Sequence, residues 1–287
     1  MLLVPKQLSK RLLRMISDSM GIGEIVSELR EIRETVSESK KLVELIQYQT
    51  LATPDGLPLP PPELHFLVSG NRNLDAFTFL EIGRNCAGQI ASILSQNGVD
   101  IDELESLLDF GCGCGRIIRH FHFLKKTKVY GTDYNRKLVE WCRQNLTFAE
   151  FETNQLQPPL NYHVDQFSLI YAYSVFTHLP EPLQMSWLAE LWRVLKPNGH
   201  LIMTTHGAAY VKEYLPPHEQ EQFAAGQLVV VKPELAGENM CGAFHPYNYV
   251  KETLIKGFEL QAYYPGKAAD PSRRIIAQDV YLLRKLA

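Results

Sequence analysis

Residues 107–116 read Leu-Leu-Asp-Phe-Gly-Cys-Gly-Cys-Gly-Arg, a short apolar run that enters three alternating glycines and then a helix-like stretch. Glycine at such a point lets the backbone turn tightly and approach a ligand with no Cβ in the way. Eighteen residues after Gly115, at the end of the next apolar run, stands Asp133. A carboxylate there can accept hydrogen bonds from both hydroxyls of a ribose. Strand, glycine loop, helix and a spaced acid together point to a nucleoside site at the end of a parallel sheet.

The surrounding text agrees. Strand-like runs at 107–110, 128–132, 168–174, 200–205, 259–264 and 279–284 alternate with helix-like segments at 76–96, 116–125, 136–145, 181–195 and 250–256. Such alternation predicts a doubly wound α/β sheet covered on both faces. Asn97-Gly98 ends the first of these helices, and 227–231 reads as a further short strand.

Twenty-nine basic against thirty-two acidic side chains leave a net charge of −3, so nothing global draws the chain to nucleic acid. Cys86, Cys112, Cys114, Cys142 and Cys241 form neither an even disulfide set nor a zinc ladder. With no cleavable secretory signal, a reducing cytoplasm is the expected setting. No apolar run approaches the roughly 20 residues needed to span a bilayer. The C-x-C pair Cys112 and Cys114 lacks the second pair or histidine cluster of a four-ligand site, so no metal is expected.

Ahead of this core the chain has a different texture. Residues 1–50 read as helical with a Gly21-Ile22-Gly23 break, 51–62 as a proline-rich linker, and 63–106 as a helical cap. Ile22, Ile25, Leu29, Ile32, Val36, Val43 and Ile46 recur three and four apart, with Ser39 in the missing slot. Such a stripe suits a coiled-coil homodimer through residues 22–46, with Glu28 at g and Arg33 at the following e position. It equally suits an amphipathic helix packed on its own domain. Residues 1–20 set Lys6, Lys10, Arg11 and Arg14 beside leucines, a pattern that lies on an anionic membrane surface or forms a solvated helix face. Pro54, Pro58, Pro60, Pro61 and Pro62 end any helix before the core.

The glycine pattern D-x-G-x-G-x-G differs from the dinucleotide fingerprint, because the third glycine comes one residue early and Arg116 takes its place. It resembles instead the first motif of the class I methyltransferases that use S-adenosylmethionine. Residues 128–133 resemble that family's second strand, 167–179 its fourth strand and turn, and 193–199 its turn into strand five. Ser168 and Asn198 depart from it, where Asp and Gly are usual. The resemblance implies a Rossmann-like, doubly wound, seven-stranded sheet with an antiparallel last strand over 107–287. It also implies an insertion at about 208–247 and S-adenosylmethionine as cofactor. Carried over, Gly111, Cys112 and Gly113 line the methionine end, and Asp109 helps to hold its amino group. Asp133 takes the ribose and Tyr134 flanks the adenine. Asn154 and Gln155 reach the adenine edge, and Tyr173 or Ser174 lies beneath the sulfonium.

Methyl transfer from a sulfonium is an in-line displacement, so alignment is the main task and a general base is optional. His178, after strand four, is the preferred base, with His206 and His245 as rivals. His206, Tyr210 and His245 are the candidate substrate contacts, alongside Tyr214, Phe223 and Phe244 of the insertion; Arg84 of helix 76–96 is a candidate cover for the cofactor. The turn after strand four is Ser174-Val-Phe-Thr177, without the Asn/Asp-Pro-Pro-aromatic turn of nucleic-acid amino-methyltransferases. A small-molecule acceptor, such as a sugar or secondary metabolite, is therefore expected. The alternatives are an NAD-linked oxidoreductase and a non-catalytic scaffold that keeps the fold.

Overall fold

The computed structural model describes residues 22–50, 53–71, 74–267 and 278–286. Two compact units divide the chain between Ala52 and Thr53. The basic stretch 1–20 and Gly21 lie outside the described residues, while Ile22 and Gly23 of the expected break are helical. In the first unit, Ile22–Thr50 forms one helix, α1. Ile25, Leu29, Ile32 and Val36 on it are exposed by 49–59%.

The second unit begins with the proline-rich segment, and here the expectation of a bare linker is corrected. Thr53 and Leu59 are buried. Asp55 grips Arg119 through both carboxylate oxygens, at 2.7 Å to Nε and 2.9 Å to Nη2. The same guanidinium donates to the carbonyls of Leu57 and Pro58 at 3.0 and 3.1 Å, and Arg119 is wholly buried. Proline forbids a helix but leaves carbonyls without local donors, and here a buried arginine supplies the donors.

Two helices follow, α2 (Pro62–Ser69) and α3 (Ala76–Gln96). Asp75 caps α3 by accepting from Thr78 N at 2.9 Å. Its buried residues Phe79, Gly83, Cys86, Ala87, Ile90 and Leu94 recur at helical spacing, and the last four join the core packed on the sheet.

The sheet is built from β1 (Ser106–Phe110), β2 (Lys128–Asp133), β3 (Glu150–Thr153), β4 (Phe167–Ala172) and β5 (Leu195–Thr205). Helix α4 (Arg136–Asn145) joins β2 to β3, and α5 (Glu181–Val194) joins β4 to β5. The insertion after β5 holds α6 (Ala208–Tyr214), α7 (Pro217–Ala224), and a small hairpin-like pair of β6 (Val229–Val231) and β7 (Gly242–Phe244). After Tyr247–Tyr249 and a π-turn over Val250–Leu254 come β8 (Phe258–Tyr264) and β9 (Asp279–Lys285).

The order is β3-β2-β1-β4-β5-β9-β8. The first five strands are parallel, and β9 runs antiparallel to both its neighbours. This is the seven-stranded arrangement expected. All five residues of β1 are buried, as a strand covered on both faces requires. Ile90, Leu94, Ile118 and Val139 pack on one face, and Trp187, Leu188, Leu191 and Leu254 on the other.

Two local expectations change, and one departure from the family pattern is explained. Residues 116–125 form turns and one 3-10 turn, Ile118–Phe121, in place of a helix. The adjacent β-branched Ile117 and Ile118, followed by alternating His and Phe, carry little helix propensity, and the anchored Arg119 fixes the backbone. Strand β4 ends at Ala172, ahead of Ser174 with its φ of 60°. Asn198 has a φ of 63°, which explains how it replaces the usual glycine: asparagine tolerates this left-handed conformation better than most residues.

Candidate active site

Strand order reverses about β1, whose neighbours are β2 and β4. In open α/β sheets a ligand crevice forms at such a reversal, outside the carboxyl ends of the strands. A cleft of about 990 Å³, its open mouth included, lies there.

The glycine loop forms its floor. Gly111 and Gly113 have φ of 83° and 55°. A Cβ on Gly111 would come within 2.4 Å of Val175 Cγ2, and one on Gly113 within 2.8 Å of Val68 Cγ2. Both positions therefore require glycine for conformation and for space. The amides of Gly111 and Cys112 donate to Thr132 O at 2.8 and 3.0 Å, which binds the loop to β2.

Asp133 ends β2 as the spacing implied. Its Oδ2 accepts from Gly113 N at 2.9 Å and its Oδ1 from Asn135 N at 2.8 Å. Each oxygen keeps a second lone pair, so the carboxylate is oriented but not saturated. Burial pushes its pKa up. Asp109, deeper in the floor, is 2% exposed, and burial above all pushes its carboxyl up to about 8.

One wall carries Tyr134, Asn154, Gln155 and Leu156, and the end of β4 contributes Tyr173, Ser174, Val175 and His178. The Asn154 side chain is held by Thr132 Oγ1, which donates to Oδ1 at 2.9 Å. Tyr173 donates to Gln89 Oε1 at 2.9 Å, and Ser174 Oγ accepts from Gln278 Nε2 at 2.8 Å. His178 Nδ1 lies 2.7 Å from Cys241 O. Because a carbonyl can only accept, Nδ1 carries the proton and Nε2 the lone pair. Burial holds His178 below its ordinary pKa, so it is neutral at pH 7.

The roof comes from two distant parts of the chain, Leu67 and Val68 of α2 and Gly237 and Asn239 of the insertion. Tyr134 Oη donates to Gly237 O at 2.9 Å, Asn239 Nδ2 donates to Leu67 O at 3.1 Å, and Gly237 N donates to His178 O at 2.8 Å.

All ten residues expected at the cofactor, and His178, line this cleft. The other expectations fare differently. His245 is wholly buried and its Nε2 pairs with Gln184 Oε1 at 3.0 Å. Gln184 Nε2 in turn donates to Leu179 O at 2.7 Å, so His245 braces the turn after β4 and is corrected to a structural role. His206 and Tyr210 lie outside the cleft lining. Their rings pack 4.2 Å apart, with Phe244 5.3 Å from His206. Burial holds His206 neutral, with its pKa near 3. Arg84 is exposed on α3 and lines no part of the cleft.

Sequence reasoning missed the roof, because nothing in residues 64–68 or 237–239 carries a motif. It also passed over Arg116, read only as a departure from the dinucleotide pattern. Cys112 and Cys114 are buried thiols with raised pKa, packed as fillers of the loop. Among the described residues no group of three potential metal ligands occurs.

The site fits an adenosine bearing an amino-acid tail. It offers a half-satisfied carboxylate for a ribose, a floor that a single Cβ would fill, and a flat aromatic wall at Tyr134. Comparison with known proteins agrees. Residues 107–199 match the family model described as a methyltransferase domain. An S-adenosylmethionine-dependent methyltransferase from Mesorhizobium loti is similar in fold, with a TM-score of 0.53 and 17% identity over 68% of this chain and 96% of that one. A putative S-adenosylmethionine-dependent methyltransferase from Listeria monocytogenes gives 0.50 and 14%, over 69% of this chain and all of that one. Residues 107–199 are thus a methyltransferase domain, on the fold shared with S-adenosylmethionine-dependent methyltransferases.

Proposed function

We propose that this enzyme methylates a small molecule held under the roof of the cleft, with His178 as general base. The observation that carries this reading is the roof itself. Hydrogen bonds tie the insertion to Tyr134 after β2 and, through Asn239, to α2, and the cover they make over part of the cleft suits a compact acceptor better than a polymer.

When bound, S-adenosylmethionine supplies a methyl carbon made electrophilic by the adjacent sulfonium. Charge is discharged in the displacement, so a site that excludes water favours the step. Asp133 would receive the ribose hydroxyls, and Tyr134 would cover the adenine while Asn154 and Gln155 meet its edge. Gly111, Cys112, Gly113 and Asp109 would line the methionine end, and Tyr173 and Ser174 would lie beneath the sulfonium. His178 would take the proton from an oxygen or nitrogen nucleophile at Nε2, its tautomer set by Cys241 O. A neutral imidazole at pH 7 is the form a base requires.

The test is incubation with labelled donor and fractionated metabolite extracts. A labelled small product that disappears in Asp133→Ala supports the reading. Label recovered in macromolecules alone refutes the small acceptor. Cofactor binding without transfer to any fraction favours the scaffold alternative.

A further inference from the structure

Arg116 follows the last glycine of the loop and lines the cleft together with Asp109 and Tyr173. Its Nε is buried and has no hydrogen-bond partner, and among the described residues its guanidinium joins no ion pair. This contrasts with Arg119, three residues on, whose guanidinium makes four hydrogen bonds to Asp55, Leu57 and Pro58. An arginine nitrogen taken from water and left unmatched costs free energy, so it calls for a partner that the cleft receives from outside. The position is built in. A Cβ on Gly83 of α3 would stand 2.0 Å from Arg116 O, so the helix uses glycine to let the loop backbone seat against it.

Asp109 and Arg116 thus stand at one end of the same cleft as a carboxyl group and a guanidinium that form no ion pair with each other. The ligand complementary to both is a zwitterion, an α-amino acid. We propose that Arg116 receives the α-carboxylate of the cofactor's amino-acid tail, on the side of the loop where Asp109 serves the amino group. The inference rests on the assignment of S-adenosylmethionine as donor and deepens it.

Two ligands separate the possibilities in calorimetry of the full chain: S-adenosylhomocysteine, which carries the amino-acid tail, and 5′-methylthioadenosine, which lacks it. Arg116→Gln should weaken S-adenosylhomocysteine by about 10- to 100-fold, the worth of a charge-assisted hydrogen bond. Binding of 5′-methylthioadenosine should stay within about twofold, which also shows that the variant is folded. Arg116→Lys should recover part of the loss, since it keeps the charge but not the planar fork. Unchanged S-adenosylhomocysteine affinity in Arg116→Gln overturns the proposal, as does an equal loss for both ligands. A wild-type chain that binds neither overturns the cofactor assignment itself.

A separate observation concerns α1. Its 29 residues span about 43 Å at 1.5 Å per residue, and Ile25, Leu29, Ile32 and Val36 form an exposed apolar seam. We infer that a second copy of this chain covers that seam in parallel. By sequence, the g positions Glu28, Thr35 and Leu42 hold no base, and the e positions Val26, Arg33 and Lys40 hold no acid. Antiparallel helices set g against g and e against e and gain nothing. Parallel helices set Glu28 against Arg33 of the second copy.

Sedimentation of the full chain should give twice the 32.7 kDa of one chain. Ile32→Asp should give single chains. Arg33→Glu should weaken association, and adding Glu28→Lys should restore it. A monomeric wild-type chain overturns the proposal, and a double variant as weak as Arg33→Glu alone overturns the parallel arrangement.

Discussion

Asp55→Ala strands a buried cation. Arg119 has no exposed surface, and two of its four hydrogen bonds go to Asp55, the carboxylate among its partners. Removing one member of such a pair typically costs about 3–5 kcal/mol, because the other charge stays buried. A second route to the magnitude starts from the carboxyl. Burial raises its pKa, but the bonds from Arg119 outweigh that and hold it down at about 2, against 3.8 ordinarily. That difference stabilises the fold by about 2 kcal/mol at neutral pH. The remainder of the larger figure is the unmatched guanidinium. Urea unfolding at pH 7 should move to a midpoint about 1–2 M lower with its slope unchanged. The pH dependence has a definite sign. A depressed carboxyl stabilises fully above its unfolded pKa and loses that contribution as pH falls, so the gap between wild type and variant should close between about pH 4 and pH 2. Replacing both partners, Asp55→Leu with Arg119→Met, should recover most of the loss. A midpoint shift below about 0.3 M for Asp55→Ala would refute the reasoning, since the pair would then be stabilising no more than a surface bridge.

Gly111→Ala should cost about 1–3 kcal/mol and abolish S-adenosylhomocysteine binding, because its Cβ meets Val175 Cγ2 at 2.4 Å on a backbone with φ of 83°. Thermal melts should show only partial rescue by Val175→Ala, which makes space but leaves the backbone strained; full rescue would contradict this. Asp109→Asn should be more stable than wild type without cofactor. The folded carboxyl is raised, so wild-type stability falls as pH rises from about 4 towards 8, and denaturation curves across that window should diverge steadily. His178→Gln should lower turnover about 100-fold with S-adenosylhomocysteine affinity unchanged. For wild type, kcat/KM should stay level through neutrality and fall only below the ordinary histidine value of 6.5, since burial depresses this group. A limb above that value would assign the base elsewhere.

The cofactor end of the site was legible because its chemistry is local. Strand β1, Gly111, Gly113 and the acid at the tip of β2 lie within 28 residues, and one carboxylate oxygen of Asp133 even closes on Gly113 N. The alternation of elements announced a doubly wound sheet, and the antiparallel last strand came with the resemblance to the methyltransferase family. What escaped detection depends on pairs far apart in sequence. Asp55 and Arg119 meet across 64 positions, and Asn239 and Leu67 across 172. Nothing periodic announces either contact. The histidines illustrate the same limit: His178 and His245 both follow strands, yet one lines the cleft and the other is sealed against Gln184, a difference set by which neighbour reaches each ring.

Hydrogen bonds close the seam over the cleft, beside the apolar seat of Val68 against Gly113. Tyr134 to Gly237 and Asn239 to Leu67 are hydrogen bonds that water can replace, each worth a net ~0.5–1.5 kcal/mol. With the third bond, from Gly237 N to His178 O, parting them all costs about 1.5–4.5 kcal/mol, so roughly 0.05–7% of molecules stand open at any moment. Exchange of spent nucleoside for fresh donor then needs no unfolding of α2.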